Sequence, residues 1–235
     1  MLAFGFRVAI IGAILAFMPL LNASAADVAR PATAEQLRID KAVQAYLSKQ
    51  ATDEEKARDQ LIASRSTALL RDPGSPVLGN RDGDVAVIEF FDYTCPYCKA
   101  IEPRLQKFLK DDKGAKLILK EFPILTPESL IAAKAALAAV KQGKYEPFHN
   151  TLMGFKGRLT TDVIFDTAKD VGLDVTRLRK DMDAREITDQ IIANFNLARA
   201  LRIFQTPGFI AGGHMLSATS AEIDFPKVAA AARAK

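Results

Sequence analysis

The apolar positions change period along this chain, and each change predicts a different element. From about residue 34 to 70 they follow a helical period. Ile39, Val43, Tyr46 and Leu47 form one stripe, and Ala57, Leu61, Ala68 and Leu69 a weaker second one. Asp53, Glu54 and Glu55 after Thr52 suit a helix start, and Arg71-Asp72-Pro73-Gly74-Ser75-Pro76 closes the segment with turn chemistry. The segment is rich in charge, and its apolar face is narrow. That face needs a partner, either the main domain or other copies of this chain, because packing supplies most of an amphipathic helix's stability.

The pattern then turns continuous. Val85 to Phe91 is apolar on both faces, with Val85, Val87 and Phe91 on one and Ala86, Ile88 and Phe90 on the other. Two-sided burial predicts a central strand, often a parallel one. A helix follows to about Lys110, with Pro103 inside it to kink or unhook a turn. Lys116 to Phe122 is a second two-sided strand, completing a βαβ unit. Its alternation forces either Lys120 or Glu121 into an apolar layer. Strand signal is absent from about 127 to 201, which predicts a helical insertion. Thr126-Pro127-Glu128 opens its alanine-rich first helix, and further helices are expected at Thr161–Val171 and Ala184–Leu201. Phe209-Ile210-Ala211 and His214-Met215-Leu216 flank Gly212-Gly213 as a hairpin, and a final helix begins after Asp224.

Between the first strand and its helix lie the chain's two cysteines, in Cys95-Pro96-Tyr97-Cys98. A strand that ends in C-x-x-C and opens a helix reads as a redox site. Both sulfurs fall on one face of the first turn, within reach of a disulfide. Only a thiolate attacks a disulfide, and an ordinary cysteine is only about 3% ionised at pH 7. Unpaired N–H groups and the dipole at a helix start favour the anion. Cys95 is therefore expected as the exposed nucleophile, and Cys98, one turn deeper, as the resolving thiol. A structural disulfide or half of a zinc site is the alternative. Zinc lacks ligands, since only His149 and His214 could join the pair, and a bridge closing so short a loop stabilises little.

The N-terminus reads as a secretory signal over residues 1–25. Arg7 precedes an apolar run from Val8 to Leu21, and Ala23-Ser24-Ala25 gives the small-x-small cleavage pattern. An uncleaved anchor is the alternative, although the run is short for a membrane span. Removing Arg7 takes 32 Lys+Arg to 31 against 28 Asp+Glu, a net charge of +3. With no concentrated basic block, this balance argues against a nucleic-acid binder. Export places the thiols where disulfides persist.

These motifs resemble the DsbA type of thioredoxin fold, closest to ScsC-type periplasmic proteins. The matching runs are Asp84 through Lys99, Lys120-Glu121-Phe122-Pro123-Ile124-Leu125, Thr206-Pro207, and, in the insertion, Gly143-Lys144-Tyr145 with Phe148-His149. The expected fold is α/β, a thioredoxin fold with an inserted helical domain and an N-terminal helical extension. Its divisions are 26–71 for the extension, 72–126 and 202–235 for the two parts of the thioredoxin fold, and 127–201 for the insertion. The resemblance implies a cis peptide at Thr206-Pro207, in a loop against the cysteines that pairs with the substrate backbone. Gln205 and Gly208 depart from the family's usual flanks. It also implies a buried acid at Glu89 beneath the cysteines, able to take a proton from Cys98, with Lys120 as its neighbour. A purely structural ion pair is the alternative. Pro96 and Tyr97 tune the thiols. Tyr97 stands where DsbA has His, so a weaker oxidant is expected. His149 is expected to pack, and His214 to face solvent.

Three functions remain open. The first is a periplasmic disulfide isomerase or reductase acting on unfolded or misfolded exported proteins, kept reduced by an ScsB- or DsbD-like membrane donor and oligomeric through residues 26–71. The second is an oxidase recharged by a DsbB-like partner. The third is a Cu(I) binder using Cys95 and Cys98, in keeping with the link of ScsC-type relatives to copper tolerance. The exchange reaction itself calls for no cofactor.

Overall fold

The computed structural model describes residues 33–216 and 222–234, so the expected signal segment 1–25 lies outside the described residues. Contacts divide the chain into two compact units, Met1–Lys49 and Gln50–Lys235. Within the first, residues 33–49 are helical apart from Thr33 and exposed throughout. They belong to α1 (Ala34–Ser64), which continues into the second unit, where Ile62 is buried. After α1 comes the short α2 (Ser66–Leu70), whose Leu69 is buried. The contact boundary thus falls well before the expected one at residue 71, because Ile62 and Leu69 belong to a core cluster of the second unit.

That unit is built on a five-stranded sheet in the order β1-β3-β2-β4-β5. The central strands are β2 (Val85–Phe91) and β3 (Ala115–Glu121), parallel and in register from Val85↔Ala115 to Phe91↔Glu121. The hairpin expected around Gly212-Gly213 is present as β4 (Gly208–Ala211) and β5 (His214–Leu216), and β4 runs antiparallel to β2. The edge strand β1 (Val77–Gly79) pairs antiparallel with β3 and was not expected. Three residues after a proline are too few to show alternation.

Strand alternation sorts the sheet's side chains into two cores. Val85, Val87, Phe91, Leu117 and Leu119 join one cluster with the helical layer, while Ile88, Phe90, Ile118 and Phe122 join Ile62, Leu69 and Leu197 in the other. Helix α3 (Pro96–Asp111) continues through Pro103. The insertion contains α4 (Pro127–Ala139), a 3-10 turn at Val140–Gln142, α5 (Tyr145–Gly154), α6 (Thr161–Asp170), α7 (Val175–Met182) and α8 (Arg185–Ala200). The middle of α4 is alanine-rich and buried on nearly every side, so small side chains let α5, α6, α7 and α8 all approach it. Helix α9 (Phe225–Arg233) starts at the Asp224 cap, as its sequence predicts. Among the described residues no helix is long and apolar enough to cross a membrane.

Candidate active site

The turn between β2 and α3 is held by one buried carboxylate. Asp92 accepts hydrogen bonds from Thr94 N–H at 2.7 Å and the Thr94 hydroxyl at 2.9 Å, from the Ser129 hydroxyl at 2.7 Å, and from Ile124 and Leu125 N–H at 2.9 and 3.0 Å. This ties the cysteine turn to the start of α4. Cys95 then acts as the N-cap of α3, with Pro96 in the first turn. Cys98 N–H points to Cys95 Sγ at 3.4 Å, and Cys95 Sγ–H donates to Thr206 O at 3.3 Å. The Thr206-Pro207 peptide is cis, as the resemblance implied. Gly208 follows it because Ile203 occupies the adjoining space: a Cβ there would lie 2.8 Å from Ile203 Cγ2.

Cys95 is 2% exposed, which corrects the expectation of an open nucleophile. It lies against the Thr206 loop and next to Pro96 and Tyr97, which are exposed, Tyr97 by 66%. The sulfur is therefore covered at its edge, next to surface residues. Its thiol is lowered to about 6, first by hydrogen bonding from the Cys98 thiol, then by the Thr206 hydroxyl and the helix-start N–H groups, which together outweigh burial. At that value about nine-tenths of Cys95 is thiolate at pH 7. Cys98 is fully buried, and burial, with the Cys95 hydrogen bond and the nearby Glu89, pushes its thiol far up. One sulfur is thus an anion and its neighbour keeps a proton.

Beneath them lies a layer of buried acids. Glu89 is fully buried, and neither of its oxygens has a hydrogen-bond partner among the described residues. Burial, then the Glu102 charge, holds its carboxyl well above the usual range. Glu121 is also buried and raised by burial, although Tyr145 and Tyr93 hydroxyls donate to its Oε1 at 2.9 and 3.2 Å. Glu102 on α3 is different. Burial pushes it up, but His149, Gln106 and Lys99 more than offset this, so it stays below the usual range.

Residues 86–225 match the DSBA-like thioredoxin domain. The chain belongs to this family. A crystal structure of a thioredoxin-like oxidoreductase from Silicibacter pomeroyi is 39% identical and covers 72% of this chain and 98% of its own, with a TM-score of 0.68. The catalytic domain of Proteus mirabilis ScsC is 27% identical, covers 75% of this chain and 99% of its own, and has a TM-score of 0.67. A Na(+)/H(+) antiporter of Salinispora tropica is 29% identical over 164 residues, 67% of this chain. This chain spans only 25% of that protein's length. In this family's fold, the dithiol stands at the start of α3.

One residue that the resemblance placed in the site lies elsewhere. Lys120 does not neighbour Glu89. It pairs in register with Phe90, so it lies on the other face of the sheet. There Nζ donates to Ala68 O at 2.7 Å, Ser75 Oγ at 2.7 Å and Asp72 Oδ2 at 2.9 Å. None of its three partners' positions could be read from strand alternation, because they come from the segment before β1. His214 is half-exposed and paired, with Nδ1 2.8 Å from Asp59 Oδ2. Sequence reasoning missed Asp92, Glu102, Tyr93 and the role of His149 in the acid layer. Glu102, four residues after Cys98 and so on the same helix face, was the one legible signal. Two grooves flank the dithiol turn. One, of about 750 Å³, runs along Pro207 and includes Ile203, Phe204, Phe209 and Met215. The other, of about 640 Å³, adjoins Pro96 and includes Lys99, Met153 and Phe155.

Proposed function

We propose that this chain is a periplasmic dithiol that reduces or reshuffles disulfides in exported proteins. The observation that carries the reading is the split between the two cysteines, a Cys95 thiol lowered to about 6 above a protonated Cys98. The Cys95 thiolate attacks a substrate disulfide, and the substrate's other sulfur leaves as a thiolate. Cys98 then gives its proton to Glu89 and its electron pair to Cys95 Sγ. The mixed disulfide breaks, the substrate leaves reduced, and the chain holds a Cys95–Cys98 disulfide. Thr206 and Pro207, beside the sulfur, are proposed to seat the substrate backbone, and the groove along Pro207 its side chains.

A stabilised thiolate by itself makes the pair a better oxidant, so the support for reduction or isomerisation comes from α1. Ile39, Val43 and Leu47 on α1 are exposed at 47–51%, a stripe suited to assembly with other copies. Several sites in one assembly raise the effective concentration of thiolate at a misfolded substrate. A periplasmic thioredoxin-like protein of Salmonella enterica, similar in structure, supports the compartment. An ScsB- or DsbD-like membrane reductant would return the chain to its dithiol. Trapping thiols in intact cells tests the direction. A mostly dithiol chain that also refolds a scrambled substrate supports this reading. A mostly disulfide chain that forms bonds in reduced substrate makes it an oxidase with a DsbB-like partner.

A further inference from the structure

His149 is fully buried on α5 and makes contacts a packing residue does not need. Its Nδ1 lies 3.0 Å from the Tyr93 hydroxyl, and its Nε2 lies 3.7 Å from Glu102 Oε1. The Tyr93 hydroxyl has one proton and gives it to Glu121 Oε1, which also accepts from Tyr145. In that arrangement His149 Nδ1 carries the proton that the Tyr93 oxygen accepts. That leaves Nε2 facing Glu102 Oε1 with no hydrogen bond to any described residue. A bare lone pair opposite a carboxylate oxygen is repulsive, whereas a protonated Nε2 there makes an ion pair, at a distance beyond hydrogen bonding. Gln106 donates to the same Glu102 oxygen at 2.6 Å and to Asn150 at 3.0 Å, which holds the carboxylate in place.

We propose that His149 offsets the charge of Glu102 across their 3.7 Å contact and thereby acts as a positioning residue for the resolving step, setting when Glu89 can accept the proton of Cys98. The inference rests on the exchange function proposed above. Its physical basis is crowding of like charge: Glu89, Glu102 and Glu121 lie in one apolar layer under Cys98 and cannot all be ionised alone. The Glu102 charge acts directly on Glu89. The groups facing this layer are Glu89 and Asp92 from β2 and the turn after it, Tyr93, Cys95, Cys98, Lys99 and Glu102 from the turn and α3, Glu121 from β3, and Tyr145 and His149 from α5. Lys99 is committed to the end of α5, where it donates to Met153 O and Phe155 O at 3.3 and 3.2 Å. Its charge still acts on Glu102 from farther away, and His149 is the group that offsets Glu102 at close range.

The test uses the reduced full chain and a chromogenic aryl disulfide, followed by stopped flow across a pH series. Attack by Cys95 releases a first coloured thiolate, and resolution by Cys98 releases the second. In His149→Gln the first phase keeps its pH profile. The midpoint of the second moves up, leaving it at least about threefold slower at pH 7, the change expected for half a pH unit. In Glu102→Gln/His149→Gln no carboxylate remains to be offset, and the second phase returns towards that of the unaltered chain. A second phase unmoved in folded His149→Gln overturns the proposal, as does a double variant displaced as far as the single one. If His149→Gln does not fold, Glu102→Gln decides: its second-phase midpoint falls under the proposal, and an unmoved midpoint overturns it. A first phase absent near neutral pH in the unaltered chain defeats the exchange reading itself, and this proposal with it.

Discussion

At the scale of single residues, the site works by giving neighbouring groups opposite surroundings. Cys95 meets N–H groups and a hydroxyl at a helix start, while Cys98, three residues on, is buried beside an acid. The C-x-x-C spacing made this asymmetry legible in the sequence. Glu89 was legible too, because a charge in the middle of a two-sided strand has no route to water. Lys120 was misplaced because its register with Phe90, and not with Glu89, decides which face it occupies. The two residues therefore have opposite expected outcomes. Glu89→Gln slows the Cys98 step on the order of 10²-fold, as loss of a general base does, and flattens its pH dependence. Lys120→Met leaves both steps unchanged per folded molecule. It lowers unfolding free energy by about 3 kcal/mol, because Asp72 loses its buried counter-charge. Burial pulls the Asp72 carboxyl up, but Ser75, Lys120 and Gln190 hold it below the usual range, so its share of stability is present at neutral pH and is lost on acidification. Stopped flow and denaturant unfolding at neutral and acid pH check the pair.

At the scale of elements, periodicity gave β2, β3, the hairpin and the helical insertion, since each is long or has clear turn chemistry. It could not give β1, which is three residues long, or α7, whose buried Leu178 and Met182 are too few to show a period. The N-terminal helix separates two roles that its pattern blurred. Its later turns and α2 bury Ile62 and Leu69 in the core, while its early turns expose an apolar stripe. Removal of residues before Gln50 is therefore expected to leave the fold intact and to abolish assembly. Light scattering checks this: the full chain gives a multiple of the subunit mass and the shortened chain a single subunit. A single subunit in both cases would leave the stripe without its proposed role.

At the scale of the whole molecule, the fold brings four distant segments to one point. The β2–α3 turn supplies the sulfurs, the start of α4 anchors that turn through Ser129, the loop before β4 supplies Thr206 and Pro207, and α5 supplies the histidine beneath. The family likeness made the first and third foreseeable. The second and fourth were not, because they depend on how the insertion docks over the sheet, which no local pattern encodes. All of this serves one condition, a Cys95 anion at neutral pH beside a protonated Cys98. Alkylation of the reduced chain by a soluble iodoacetamide over a pH series measures it directly. The account predicts that Cys95 reacts first, with a midpoint near 6. A midpoint near about 8.5, that of an ordinary cysteine, would contradict it.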